Sequence, residues 1–123
     1  MREVVIVNTD HPFDGPLRAG YCVSYMCRLR GLSLRRTIPE SWGLLLVYQG
    51  ESRLDTAIHM LGMNFDLGIV WINSAGEVVD LRYARRWRSF IIPSAAAKYV
   101  LEILPQRLKD FNLGDKITFE EII

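Results

Sequence analysis

Lysine is scarce in this chain: of fifteen basic residues only Lys98, Lys109 and Lys116 are lysines, and the rest are arginines. Guanidinium forks onto carboxylate and phosphate and stacks on rings, so the skew favours contacts with anions. Excess charge is absent too. A net charge of +1 and a pI near 7.8 fall short of the basicity expected of a nucleic-acid-binding domain. Long apolar runs are missing, the longest being Gly43 to Tyr48 and Leu67 to Ile72. Neither approaches the roughly 18 residues that span a bilayer, so no membrane insertion is expected.

Cysteine is limited to Cys22 and Cys27, with no second Cys or His pair near them. Tetrahedral zinc needs four ligands at compatible spacing, so no metal is expected. The start of the chain lacks a signal-peptide apolar region, which reads as cytoplasmic and predicts reduced, buried thiols. The chain also lacks G-x-S-x-G, G-x-x-x-x-G-K-[ST] and H-E-x-x-H, and with them the usual warrants for a hydrolase, a nucleotide-binding loop or a zinc protease. No cofactor is expected.

What is present suits one globular domain over residues 1–123, half apolar and about a quarter charged. A chain of this length buries roughly two-thirds of its unfolded surface, enough for one core. Glu3 to Val7 reads as a short buried strand, and Asn8 to Pro16 as a polar loop. Ser24 suits the N-cap of a short helix ending at Arg30, with Gly31 as its stop. Gly43 to Tyr48 reads as a central strand buried on both faces.

Short strands are predicted around Thr56 to Met60 and over Leu67 to Ile72. Asn73 to Gly76 then forms a hairpin loop into Glu77 to Leu81. Lys98 to Ile103 alternates with period two, Lys98, Val100 and Glu102 lying on the mixed, outer face. Pro105 opens a short helix, and Lys116 to Ile122 closes the chain as a strand. The expected fold is β-rich α+β, a small barrel or a curved two-sheet sandwich with one or two short helices, the alternative being a conventional sheet with one packed helix.

His59 is the candidate for chemistry, since imidazole serves as base, donor or ligand near neutral pH. Set against that is a packed strand histidine. A thiolate at Cys22 or Cys27 activated by His59 is conceivable but unsupported by any signature. His11 reads as a solvated loop residue. The richest binding segment is Leu81 to Phe90, where Arg82, Arg85, Arg86 and Arg88 alternate with Tyr83, Trp87 and Phe90. Such a mixture binds single strands through stacking and phosphate contacts. The plainer reading is an edge-protecting strand with its aromatics packed inward. Met60, Met63 and Trp71 read first as core filling, and Gly62 and Gly68 as sites of a bulge or close approach.

Arg28-Leu-Arg-Gly-Leu32, Gly43-Leu-Leu45, Ile58-His-Met60, Val100-Leu-Glu102 and Leu113-Gly-Asp115 occur in an order that resembles the family called domain of unknown function 192. The likeness runs from about Cys22 to Phe119. It implies a compact β-rich fold without an established activity. The chain departs from the family pattern at Asp66, where a proline is usual, and at Gly68, where an acid is usual.

Together these readings lead to a non-catalytic binding module for an anionic or partly apolar small molecule or a protein partner. Its candidate contacts are Arg28, Arg30, His59, Met60, Asn64, Arg82, Arg85, Arg86, Trp87 and Arg88. The alternatives are an enzyme using His59 and nucleic-acid binding through Arg82 to Arg88, the latter not favoured.

Overall fold

Runs of aliphatic and β-branched residues set the strands in the computed structural model, which describes residues 1–88 and 90–122. In chain order they are β1 (Glu3–Asn8), β2 (Arg18–Cys22), β3 (Trp42–Ser52), β4 (Leu67–Ile72), β5 (Val78–Ala84), β6 (Ala97–Ile103) and β7 (Ile117–Glu121). A helix α1 (Tyr25–Arg30) lies between β2 and β3, and a 3₁₀ helix (Pro105–Asp110) follows β6. The strands form one seven-stranded sheet in the order β5-β4-β6-β3-β2-β1-β7. Only β2 and β3 are parallel, which requires a crossover, and the α1 segment supplies it.

The β-rich α+β fold expected from the sequence is therefore present, as one curved sheet that stays open. Its edges, β5 and β7, approach at one end, where Val78 N–H donates to Asp115 O at 2.9 Å and Ile117 N–H to Gly76 O at 2.7 Å. Curvature gives the sheet an inner and an outer face. Every strand contributes to the inner cluster, with Ile6, Leu45, Val70 and Leu101 packed around Phe111. On the outer face Leu44, Leu46, Ile69 and Trp71 pack beneath residues of the connections, among them Leu32, Ile58, Met60 and Met63. Both faces of the central strands are thus dry, which explains the unbroken apolar runs of β3 and β4.

Local signals act as expected. Ser24 Oγ accepts from Cys27 N–H, and Gly31 ends α1 at φ 53°. Gly76 turns the β4–β5 hairpin at φ 86°. At Gly68 an added Cβ would lie 2.7 Å from Leu108, so its absence lets the 3₁₀ helix reach the sheet. An acid in this place has no room, and it would point to the inner face.

Four expectations are corrected. Thr56 to Met60 is not a strand: only Ile58 bridges, to Ile91. Thr56 instead spends its hydroxyl on Ser52 O at 2.6 Å and its carbonyl on Trp71 Nε1–H at 2.8 Å, fixing a loop. The strand β2 was not expected, because Ala19 and Gly20 carry little strand signal; it is held by pairing on both edges. Cys22 and Cys27 are joined in a disulfide rather than reduced. The first turn of α1 brings their Cα atoms to 5.7 Å, inside the range a bridge spans, and the compartment argument could not see that geometry. The bridge leaves no thiolate for attack beside His59. Finally, Tyr83, Trp87 and Phe90 face outward, being 55%, 61% and 70% exposed.

Candidate functional site

The helix α1 buries none of its residues, yet it is fixed through Cys27 and Arg28. The Cys22–Cys27 bridge ties it to β2. Arg28 Nη1 donates to Val47 O at 3.1 Å and to Val23 O, and its guanidinium lies 4.8 Å from the Tyr48 ring centroid. Between this helix, β3 and the loop after β3 runs a cleft of about 430 Å³, lined by Tyr25, Arg28, Leu29, Tyr48, Asp55 and His59. The apolar side chains supply one wall and the polar ones converge from three separate stretches of sequence.

A smaller chamber of about 80 Å³ adjoins it, sharing Arg28, Leu29, Tyr48, Ala57 and His59, with Glu102 among its lining residues. The face of β6 that carries Val100 and Glu102, expected to lie outside, is instead covered, and both residues are buried. Glu102 sits between Leu44 of β3 and Ile69 of β4 and is only 5% exposed. Its Oε1 is buried with no hydrogen-bond partner among the described residues. A Cβ on Gly31 would come to 3.5 Å from that oxygen, so the end of α1 roofs it.

Desolvation alone pushes the Glu102 carboxyl up to about 7. Nearby, burial also raises the Tyr48 phenol, with Arg28 opposing and Glu102 and Asp55 reinforcing. A carboxyl that changes charge near neutral pH, in a concavity beside a cation and an imidazole, has the features of a functional group.

The other expected contacts do not converge here. Arg30 lines the inner chamber, but Met60 is fully buried in the core and unavailable to a ligand. Asn64 donates to Arg35 O at 3.2 Å on the surface. Arg82 pairs with Asp80 at 3.1 Å. Arg85, Arg86 and Arg88 line a separate hollow with Asp66 and Tyr83. Asp66 accepts from Arg86 N–H at 2.9 Å and from Tyr83 Oη–H at 2.6 Å. Those two bonds, the backbone one first, hold its carboxyl below the ordinary range and place a fixed negative charge amid the arginines. Trp87, at φ 63°, projects from the same turn, while its N–H donates to Met60 O at 2.9 Å. The two regions touch through His59 and Phe90, whose rings lie 6.3 Å apart.

A third cluster is structural. Asp115 is 3% exposed and accepts from Asn8 Nδ2–H at 2.7 Å and Asn112 N–H at 2.8 Å, with His11 Nδ1 2.8 Å away. His11, expected to be solvated, is thus paired with Asp115 while remaining largely exposed. Among the described residues no three His, Cys, Asp or Glu side chains form a group able to hold a metal ion. Among the described residues no helix is long and apolar enough to cross a membrane. Sequence reasoning missed Glu102, Tyr48, Tyr25 and Leu29. The one available signal was a lone acid inside the apolar run Tyr99 to Leu104.

Known proteins resemble this one in both sequence and shape. An uncharacterised protein of Thermococcus sibiricus, named UPF0127 protein, is 35% identical over 100 residues, covering 79% of this chain and 62% of its own length. Its counterpart in Thermococcus gammatolerans is also 35% identical, over 79% of this chain and 63% of its own length. The chain therefore spans less than two thirds of these relatives. A crystal structure from Sinorhizobium meliloti, provisionally described as a transcription regulator, superposes with a TM-score of 0.80 at 21% identity, over 96% of this chain and 92% of that one. At that identity the likeness concerns the fold. The family model described as Uncharacterized ACR matches residues 6–119. The chain belongs to this family, the domain of unknown function 192.

Proposed function

We propose that this protein is a binding module for a small, partly apolar ligand carrying an anionic group, held in the cleft between α1, β3 and the loop that carries His59. The observation that supports the reading is that Arg28, His59 and a buried Glu102, whose Oε1 has no partner among the described residues, line one chamber beside a cleft that Tyr25 and Leu29 also line. Pockets of this kind use apolar surface for affinity and a few polar groups for orientation. The Arg85 to Arg88 hollow is a poorer candidate, because Asp66 already offsets its charge. Nucleic acid is disfavoured for the same reason, and by the near-neutral pI. Cytoplasmic placement is part of this reading.

A thermal-shift screen against anionic metabolites tests the reading, since a ligand that binds only the folded state raises Tm by mass action. Stabilisation abolished in Arg28→Ala and retained in Arg86→Ala is the expected result. Loss in Arg86→Ala alone moves the site to the hollow. The titration of Glu102 beside His59 also favours a second reading, an enzyme using them as acid and base. Turnover that disappears in a folded His59→Gln variant would establish it.

A further inference from the structure

We infer that the inner chamber takes the carboxylate end of a small organic acid, with Glu102 in its neutral form donating its O–H to the ligand's oxygen. The inference deepens the proposed function and rests on the cleft being a ligand site. It begins from Glu102, a buried carboxyl whose Oε1 has no partner among the described residues, in the lining of a chamber that shares five residues with the cleft. Such an atom is costly to leave unpaired, so a ligand group is expected to complete it.

The charged and polar groups that line the two compartments select that group. From α1 come Arg28 and Arg30, from β3 the Tyr48 phenol, and from the following loop His59 in both compartments and Asp55 in the outer one. Among the described residues Glu102 is the only acid lining the inner chamber. The lining of the inner chamber thus carries two arginines against one carboxyl, a balance that disfavours an ammonium. An incoming carboxylate is drawn by those guanidinium groups and is repelled only if Glu102 is ionised. With Glu102 neutral, the two carboxyl groups share one proton in a charge-assisted O–H···O⁻ bond, the strong class of hydrogen bond.

Size agrees with this assignment. The inner chamber, at about 80 Å³, is small beside the 430 Å³ cleft and suits a compact polar end group. The remainder of the ligand then lies in the 430 Å³ outer cleft against Tyr25, Leu29 and Ala57, which favours a short apolar chain or one ring. No covalent bond forms or breaks. When Glu102 starts ionised, one proton enters from solvent with the ligand; when it starts neutral, none does.

Calorimetric titration of hexanoate and benzoate between about pH 6 and pH 9, with hexylamine and benzylamine as cationic counterparts, tests the inference. Only the protonated fraction binds the acids, so their Kd should rise about 50-fold from pH 7 to pH 9. Titration in two buffers of different ionisation enthalpy should show uptake approaching one proton per ligand at the alkaline end. Glu102→Gln keeps a donor and cannot titrate, so it should bind the acids with a flat pH response. His59→Gln should keep the wild-type slope, separating the imidazole from the effect.

Acid binding that is flat with pH in the wild type, or equally steep in a folded Glu102→Gln variant, overturns the inference and leaves the cleft reading standing. Preferential binding of the amines with proton release does the same. Binding of neither class overturns both.

Discussion

Two carboxyl groups in this protein show almost no surface to solvent and are treated in opposite ways. Asp115 is 3% exposed and Glu102 is 5% exposed. Burial works to raise the Asp115 carboxyl, but Asn8, the Asn112 N–H and His11 outweigh it and hold the group below its ordinary value of 3.8. Glu102 lies deeper among the packed residues with no donor on Oε1 among the described residues, and its carboxyl stands at about 7. A group whose partners are all supplied by the chain is a fixture of the fold. One left incomplete beside a cleft is a place for something from outside.

The contrast reaches stability with opposite signs. Asp115 has a lowered folded-state value, so its contribution is present above 3.8 and is lost as pH falls. Glu102 has a raised one: the folded state holds more protons than the unfolded between 4.5 and about 7, and stability falls as pH rises through that window.

The strongest way to break the comparison is Asp115→Ala. It leaves the Asn8 amide and the Asn112 N–H without their acceptor and should cost about 3 to 4 kcal/mol in urea unfolding at neutral pH. Next is Glu102→Gln, which should stabilise at about pH 8 and destabilise slightly, by about 1 kcal/mol, at about pH 4.5. A rise from 4.5 to about 7 corresponds to roughly 3 kcal/mol, reduced to about 2 by the buried amide that Gln leaves. Equal effects at both pH values would contradict the assignment.

Gly43→Ala comes third. Its Cβ would meet Glu102 O at 2.5 Å and Ile103 Cγ2 at 2.7 Å, which overpacks the β3–β6 seam and should cost about 1 to 2 kcal/mol in thermal unfolding. The smallest effect is expected from His11→Ala. Its ring is 59% exposed, so removing it should cost under about 1 kcal/mol while Asp115 keeps its other donors.

Much of the fold was legible because its signals are local. Ser24 and Gly31 bracket α1, Gly76 marks the hairpin, Pro105 opens the 3₁₀ helix, and the apolar runs of β3 and β4 announce strands covered on both faces. What stayed hidden depends on contacts distant in sequence. Alternation along β6 assigned Glu102 to the outer face, but no pattern in β6 reveals that the end of α1 and the loop around His59 cover that face. The Thr56 to Met60 segment is apolar enough for a strand until Trp71 and Ser52 claim its polar groups.

The arginine segment taught the reverse lesson. Composition made Arg82 to Arg88 the most prominent binding feature, yet Asp80 and Asp66, one four residues before Ala84 and one across the sheet edge, occupy much of it. Of the candidate contacts, Arg28, Arg30 and His59 alone reach the cleft and its chamber.

The most direct test of the central claim is the titration of the Glu102 carboxyl itself, followed by NMR of protein labelled at the glutamate side-chain carbon and assigned with Glu102→Gln. A midpoint near 7 is the result this account predicts, moving upward when hexanoate is added. A midpoint near the ordinary glutamate value of about 4.3 would show that Glu102 has a partner or is solvated, and would contradict it.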